Sequence, residues 1–219
     1  MRIPVVNYGL IVLCIGVFIY QLTASKLSPE LIQQYGFIPG DLTGAIEQGG
    51  SSHLASIGLT LLTSLFFHGG WIHIGGNLLY LRVFGDNVED RLGHFLFMVF
   101  FLLCGAIGNL CQFAFDPASS RPIIGASGAI SGVLGCYITL FPKARVLTLF
   151  PALVFLMFIE VHAAAFIGIW CLQQFLNGFL TISQDPSAIE SIAWFAHLGG
   201  FCAGVSCGLL FRWKQSLKQ

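Results

Sequence analysis

The chain has 219 residues, 56% of them hydrophobic and only 9% charged, with ten basic and ten acidic side chains giving a net charge of +0. A soluble domain carries about 25% charged residues, so the composition excludes an ordinary soluble protein and predicts one that lives in a bilayer. The zero net charge argues against a nucleic-acid partner.

A spanning helix needs about 20 mostly apolar residues. Taken in order, candidates run at about 3–22, 61–86, 93–114, 122–141, 161–181 and 192–211. The first has no small-residue cleavage site behind it, so it reads as a retained helix rather than a signal peptide. The segment from Thr23 to about Thr60 is the longest outer loop and is predicted to be partly folded at the membrane surface. The second candidate is short and Gly-rich over 72–86 and is expected to begin near Leu61. Asp86, Asn87, Glu89, Asp90 and Arg91 then form an inner loop that caps the third helix. Between the fourth and fifth helices, Val146 to Ile159 is apolar but interrupted by Pro151 and too short to span. It is expected to be an interfacial or re-entrant helix, or an extension of the fifth. The fold class that follows is an all-α membrane protein, a bundle of six transmembrane helices forming one domain over 1–219, with its core at about 60–211. No internal repeat is visible.

Charge placement fixes an orientation. With the N-terminus inside, Arg2, Arg82, Arg91, Lys143, Arg145, Arg212, Lys214 and Lys218 fall on the inner side, and only Lys26 and Arg121 on the outer. Eight against two obeys the positive-inside rule. Both termini are therefore expected in the cytoplasm. A seventh span would move the last three charges outside and put His197 on the wrong side.

Seven cysteines (Cys14, Cys104, Cys111, Cys136, Cys171, Cys202, Cys207) all lie in apolar runs, with no C-x-x-C pair. They read as small buried hydrophobes, and no metal or organic cofactor is expected.

Two stretches carry chemistry: Gly125-Ala126-Ser127-Gly128 and Ala196-His197-Leu198-Gly199-Gly200. Intramembrane ionisable groups are costly and mark function by default. A serine hydroxyl is a weak nucleophile until a base takes its proton, and His197 is the natural base, since an unperturbed imidazole has a pKa near neutrality. Counted at 1.5 Å per residue from Arg121, Ser127 lies roughly 9 Å below the outer surface. Counted from Ser191, His197 reaches the same depth, and His73 and Asn77 on the second helix also fall in the outer half. For serine and histidine to bond, the fourth and sixth helices must nearly touch, which small residues permit. Gly128 and Gly132 on one helix, and Gly200 and Gly204 on the other, supply that stripe. His73 and Asn77, spaced i, i+4, point one way and can donate to a developing oxyanion, with the Ser127 backbone N–H as a third donor. No aspartate lies at this depth, and Glu160 falls toward the inner side of the fifth helix, so a dyad is expected rather than a triad. Glu160 and His162, at i, i+2, do not share a helix face.

These residues, in this order, resemble the rhomboid intramembrane serine proteases. The likeness runs through Phe67-His68-Gly69-Gly70-Trp71-Ile72-His73-Ile74-Gly75-Gly76-Asn77, Phe84-Gly85-Asp86-Asn87-Val88-Glu89-Asp90-Arg91-Leu92-Gly93, Gly125-Ala126-Ser127-Gly128-Ala129-Ile130-Ser131-Gly132 and Ala196-His197-Leu198-Gly199-Gly200. It implies that Ser127 is the nucleophile, His197 the general base, and His73 and Asn77 part of the oxyanion hole. His68 would belong to a structural hydrogen-bond network in the first outer loop. The chain departs from the family in lacking a Trp-Arg dipeptide in that loop. It also places Ser131 where some members have an aromatic that packs on the base.

The expectation is thus an endopeptidase that cleaves transmembrane segments of membrane proteins near the outer face. Its partners are those substrates and the lipid bilayer, and the compact plan favours a bacterial inner membrane. The resemblance implies a gate at the fifth helix and the loop 182–190. The alternative is a catalytically silent rhomboid-like protein that binds membrane clients, whose mark would be loss of the serine or histidine; both are present. A transporter would show paired repeats with broken helices at the midplane, and none is visible.

Overall fold

The structure, a computed structural model, describes residues 3–24, 29–48, 51–152, 155–183 and 192–217. Its elements are α1 (Val5–Thr23), α2 (Pro29–Tyr35), α3 (Pro39–Gln48), α4 (Ser51–Thr63) with a 3-10 turn at Ser64–Phe66, α5 (Trp71–Tyr80), a π turn at Leu81–Gly85, and α6 (Asp86–Leu92). There follow α7 (His94–Phe115), α8 (Ser127–Leu140), strands β1 (Arg145–Ala152) and β2 (Phe155–His162), α9 (Ala163–Ser183) and α10 (Trp194–Ser216).

The protein is an integral membrane protein. Helices α1, α7, α9 and α10 are each long and apolar enough to cross a bilayer, and the pair Leu54–Phe66 and Trp71–Leu92, bent by 84°, offers a fifth span. Helix α8 has 14 residues and is short for a span. A helix therefore stands at each of the six expected places, but the second place does not hold one continuous helix over 61–86. Phe67 is extended, and Gly69-Gly70 follow it where a helix would lose most by continuing. Asn109 of α7 holds the break, its Nδ2 donating to the Leu61 carbonyl at 3.1 Å and to Ser64 Oγ at 3.0 Å. The segment expected as an outer loop is helical over most of its described residues, as α2, α3 and α4.

Residues 86–91, expected as an inner loop, are helical. The helix runs on to Gly93, whose φ of 84° is the left-handed stop that glycine favours. Its N–H donates to the Glu89 carbonyl at 2.7 Å. The buried Glu89 carboxylate does not cap the third span. It accepts the backbone N–H groups of Val6 and Asn7 at 3.0 and 2.7 Å, so it caps α1, whose first N–H groups have no helical acceptor. Asn7 reciprocates by donating from Nδ2 to the Leu81 carbonyl at 3.1 Å and to Asp86 Oδ1 at 2.5 Å. A π turn is a local irregularity in the helical ladder, and Asn7 donates to the carbonyl of its first residue, Leu81. Its side chain occupies the space a Cβ on Gly85 would need.

The stretch Val146–Ile159 is not a helix. β1 and β2 form an antiparallel hairpin in which Arg145 faces His162 and Ala152 faces Phe155. Val146, Thr148, Ile159, Val161 and the phenylalanines are residues that fit a pleated surface, and Pro151 would break a helix. Glu160 is accordingly not a carboxylate of the fifth helix. It pairs at 3.8 Å with Arg145, both well exposed, a contact worth little. On a strand, where side chains repeat every two residues, Glu160 and His162 do share a face.

The core lies where α1, α5, α6, α7, α8 and α9 converge. Leu10, Phe84, Phe97, Phe101, Leu134 and Ile167 are among its buried members. The tightest packing joins α8, α10 and α7. A Cβ at Gly200 would strike the Gly128 carbonyl, one at Gly204 the Gly132 carbonyl, and one at Gly132 would meet Cys104 Cβ at 2.5 Å. The glycine stripe predicted from spacing is the contact itself.

Candidate active site

Ser127 is the first residue of α8 and His197 the fourth of α10. Their side chains meet: Ser127 Oγ lies 2.7 Å from His197 Nε2. The two helices reach this distance because glycines face each other one and two turns further in. The equal-depth count did not foresee the local geometry, since the helix expected from residue 122 starts at 127. Pro122 has no N–H to give, Ile123 pairs as an isolated bridge with Phe37, and Gly125 has a φ of 112°. None of residues 121–126 is helical, so Ser127 stands at the very start of its helix. There the first N–H groups lack partners and the helix dipole favours negative charge.

Gly125 also makes room. A Cβ there would stand 2.5 Å from His73 Nε2 and 3.5 Å from Asn77 Nδ2. The Gly69 N–H donates to His73 Nδ1 at 3.3 Å, so the ring proton sits on Nε2 and that nitrogen is a donor. Asn77 is 7% exposed and its Nδ2 has no hydrogen-bond partner. Two donors from α5 therefore converge beside the Ser127 turn. A cavity of about 1070 Å³ opens over them, lined by His73, Gly125, Ser127, Trp170, Gln174 and His197, with room for a stretch of peptide.

His68 is fully buried. Its Nδ1 donates to the Phe66 carbonyl at 3.2 Å, and its ring meets His73 edge-on at 5.2 Å. The Gln21 side chain of α1 pins its backbone on both sides, donating to the His68 carbonyl at 3.1 Å and accepting its N–H at 3.0 Å. Ser131 does not touch the base; its hydroxyl donates to the Ser127 carbonyl at 2.6 Å. The aromatic support for His197 comes instead from Trp170 on α9 and Trp194 on α10, at 6.0 and 6.3 Å between ring centres. Of the expected packing glycines, Gly132, Gly200 and Gly204 are closed against backbone or side chains. Gly128 contributes its carbonyl, since a Cβ on it would find only ordinary contacts at 3.5 Å and beyond.

Two residues escaped the sequence reading: Asn7 and Gln21, which anchor the two ends of α1. Each is an amide in an apolar helix, which is the signal that could have found them. Gln174 of α9, one of the amides expected to bond between helices, bonds His197. The polar residues Asn109 and Gln112 of α7 do bond between segments: Gln112 Oε1 accepts the Phe195 N–H at 3.0 Å and so fixes the start of α10. The proposed gate residues Gln184, Asp185, Pro186 and Ser187 lie outside the described residues.

Comparison with known proteins shows the family. The family model described as Rhomboid domain matches residues 57–214. The mitochondrial Rhomboid protein 1 of Saccharomyces cerevisiae is 30% identical over 161 residues, 68% of this chain and 41% of its own length. RHOMBOID-like protein 1 of Arabidopsis thaliana is 28% identical over 153 residues, 69% of this chain and 34% of its own. The human mitochondrial Presenilin-associated rhomboid-like protein is 34% identical over 92 residues, 41% of this chain and 24% of its own. The chain thus spans about two fifths or less of the length of these relatives. With the matched region covering α4 to α10 and all four candidate site residues within it, the chain belongs to the rhomboid family.

Proposed function

We propose that the protein is an intramembrane serine endopeptidase that cleaves transmembrane segments of other membrane proteins near the outer face. The observation that carries this reading is the 2.7 Å contact between Ser127 Oγ and His197 Nε2, two polar groups drawn from separate apolar helices into one cavity.

In this mechanism His197 takes the hydroxyl proton as Ser127 Oγ attacks the scissile carbonyl. The carbonyl oxygen becomes an oxyanion, stabilised by His73 Nε2–H, Asn77 Nδ2 and the Ser127 N–H at the helix start. The imidazolium returns the proton to the leaving amine as the C–N bond breaks, leaving an acyl ester on Ser127. Water, deprotonated by His197, then adds to the ester, and as the acyl C–O bond breaks and releases the acid the imidazolium returns the proton to Ser127 Oγ. A helical substrate hides its backbone bonds in its own ladder, so scission needs local unwinding. The excess of Lys and Arg on one side supports cytoplasmic termini and a site opening to the outer face, and the compact plan supports a bacterial inner membrane.

The test is cleavage of a single-span substrate by purified protein in liposomes, wild type beside Ser127→Ala. Cleavage by wild type alone is the expected result. Cleavage by both overturns the role of Ser127. If neither cleaves, a fluorophosphonate that labels wild type at Ser127 keeps the nucleophile and implicates the substrate, whereas no label favours a client-binding protein.

A further inference from the structure

The pair of Ser127 and His197 leaves one nitrogen of the imidazole to be accounted for. His197 Nδ1 lies 2.7 Å from Gln174 Oε1. Gln174 is 5% exposed and belongs to α9, a different helix from either member of the pair. Which end of its amide faces the ring follows from the other bond it makes. Gln174 Nε2 lies 3.3 Å from the carbonyl oxygen of Trp170, one turn earlier. A carbonyl can only accept, so that end must be the NH2 group, and the end facing His197 is the oxygen. An amide oxygen has no proton to give, so Nδ1 must carry the ring proton. In a neutral imidazole the other nitrogen is then a bare acceptor, and that nitrogen is Nε2, facing Ser127 Oγ.

We propose that Gln174 is a positioning residue of the site, whose amide oxygen holds the Nδ1–H tautomer of His197 and so aims the Nε2 lone pair at Ser127. The proposal rests on the reading of Ser127 and His197 as nucleophile and base. It extends the expected dyad to a chain of three side chains, Gln174 to His197 to Ser127, anchored on the Trp170 carbonyl, with a neutral amide where a soluble protease places a carboxylate. The choice of a neutral group suits the location: an ionised carboxylate buried at this depth costs several kcal/mol, while an amide can satisfy both its ends within the bundle. Trp170 contributes twice. Its carbonyl orients the amide, and its ring stands 6.0 Å from the imidazole. Two residues of α9 spaced i, i+4 thus hold the base on α10, and a displacement of α9 that parts Gln174 from His197 releases the tautomer.

The test reads the tautomer directly and does not need cleavage. Protein labelled with 15N-histidine is examined by NMR in bicelles at a pH where the ring is neutral, and His197 is assigned by difference from His197→Gln. Wild type should show a protonated Nδ1 and an unprotonated Nε2. Gln174→Met keeps the volume but removes the acceptor, and should give a mixture of tautomers. Gln174→Glu keeps an acceptor oxygen at the same place and should restore the wild-type pattern. Against a cleavable substrate, Gln174→Met should lower kcat by about tenfold to a hundredfold with KM unchanged, well short of the roughly 10⁴-fold loss that follows a forced wrong tautomer in a soluble serine protease. Wild-type His197 protonated at Nε2, or Gln174→Met with unchanged tautomer and kcat, overturns the proposal. An Nδ1–H tautomer in a protein whose Ser127 takes no fluorophosphonate would leave the role of Gln174 standing and remove the protease reading instead.

Discussion

The backbone carbonyl of Gly128 stands where a Cβ on Gly200 would have to be. The contact is directional: the missing side chain belongs to Gly200, and Gly128 supplies only its carbonyl oxygen. One turn further in, Gly204 meets the Gly132 carbonyl in the same way. The distance between Ser127 and His197 is therefore set by glycines on both helices, since a Cβ at Gly135 of α8 would likewise strike the Phe201 carbonyl of α10.

Two glycines that look alike in sequence should then behave differently. Gly200→Ala and Gly204→Ala must push α10 off α8 against rigid backbone, at a cost of about 1–3 kcal/mol or more, and should lower both thermal stability in detergent and cleavage rate. Gly128→Ala meets nothing closer than 3.5 Å and gains about 1 kcal/mol of helix propensity, so its melting temperature should hold or rise. Equal losses at all three positions would mean the stripe packs symmetrically.

Gly125 is a third kind of glycine. Its φ of 112° disfavours any L side chain, and a Cβ there would collide with His73 Nε2. Gly125→Ala should remove activity by displacing the α5 donors while leaving the contact between α8 and α10 intact. Fluorophosphonate labelling of Ser127 should survive better than peptide cleavage, and a variant that loses neither contradicts the crowding described.

Most of the bundle was legible because spans are written in long apolar runs: α1, α7, α9 and α10 fall within a few residues of their expected bounds. The candidate pair was legible too, since a histidine is rare at such depth and both residues come with glycines that pack. What was hidden has a common cause. Apolar periodicity does not distinguish a short buried helix from strands, so β1 and β2 were read as helix although Val146, Thr148, Ile159 and Val161 favour a sheet. Charged residues near a helix end read as a loop, so the stop was placed at Asp86 rather than at Gly93. The aim of a neutral amide depends on its neighbours, so Asn7, Gln21 and Gln174 carried no sequence signal beyond their presence.

Glu89 illustrates the second of these errors and gives its own prediction. Its buried carboxylate accepts two backbone N–H groups of α1 and lies 2.5 Å from His94 Nδ1. Glu89→Ala orphans those donors, at a cost of about 1–3 kcal/mol for each buried group left unpaired. Glu89→Gln keeps one acceptor oxygen and should lose about half as much stability. The other end of α1, where Gln21 holds His68, is about 20 Å away at 1.5 Å per residue, so in the cold both variants should still label at Ser127. A Glu89→Ala protein that melts like wild type would remove the carboxylate as the cap of α1.

Asn77 is the residue at which stability and activity should part. Its Nδ2 is buried without a partner, and an unsatisfied buried donor costs the folded protein about 1–3 kcal/mol. That state suits an oxyanion donor, whose acceptor exists only while the carbonyl is under attack, although His68 Nε2 and Asn7 Oδ1 are buried without a partner as well. Asn77→Ala should therefore melt at or above the wild-type temperature and turn over about a hundredfold more slowly, the loss usual for one oxyanion donor. Asn77→Asp, which replaces the donor by an acceptor, should be at least as slow. Because His73 Nε2 and the start of α8 remain, some cleavage should persist in Asn77→Ala and vanish when His73 is replaced as well. A fall in melting temperature with an unchanged rate would reverse the assignment, making Asn77 a packing residue and leaving His73 and the helix start to carry the oxyanion alone.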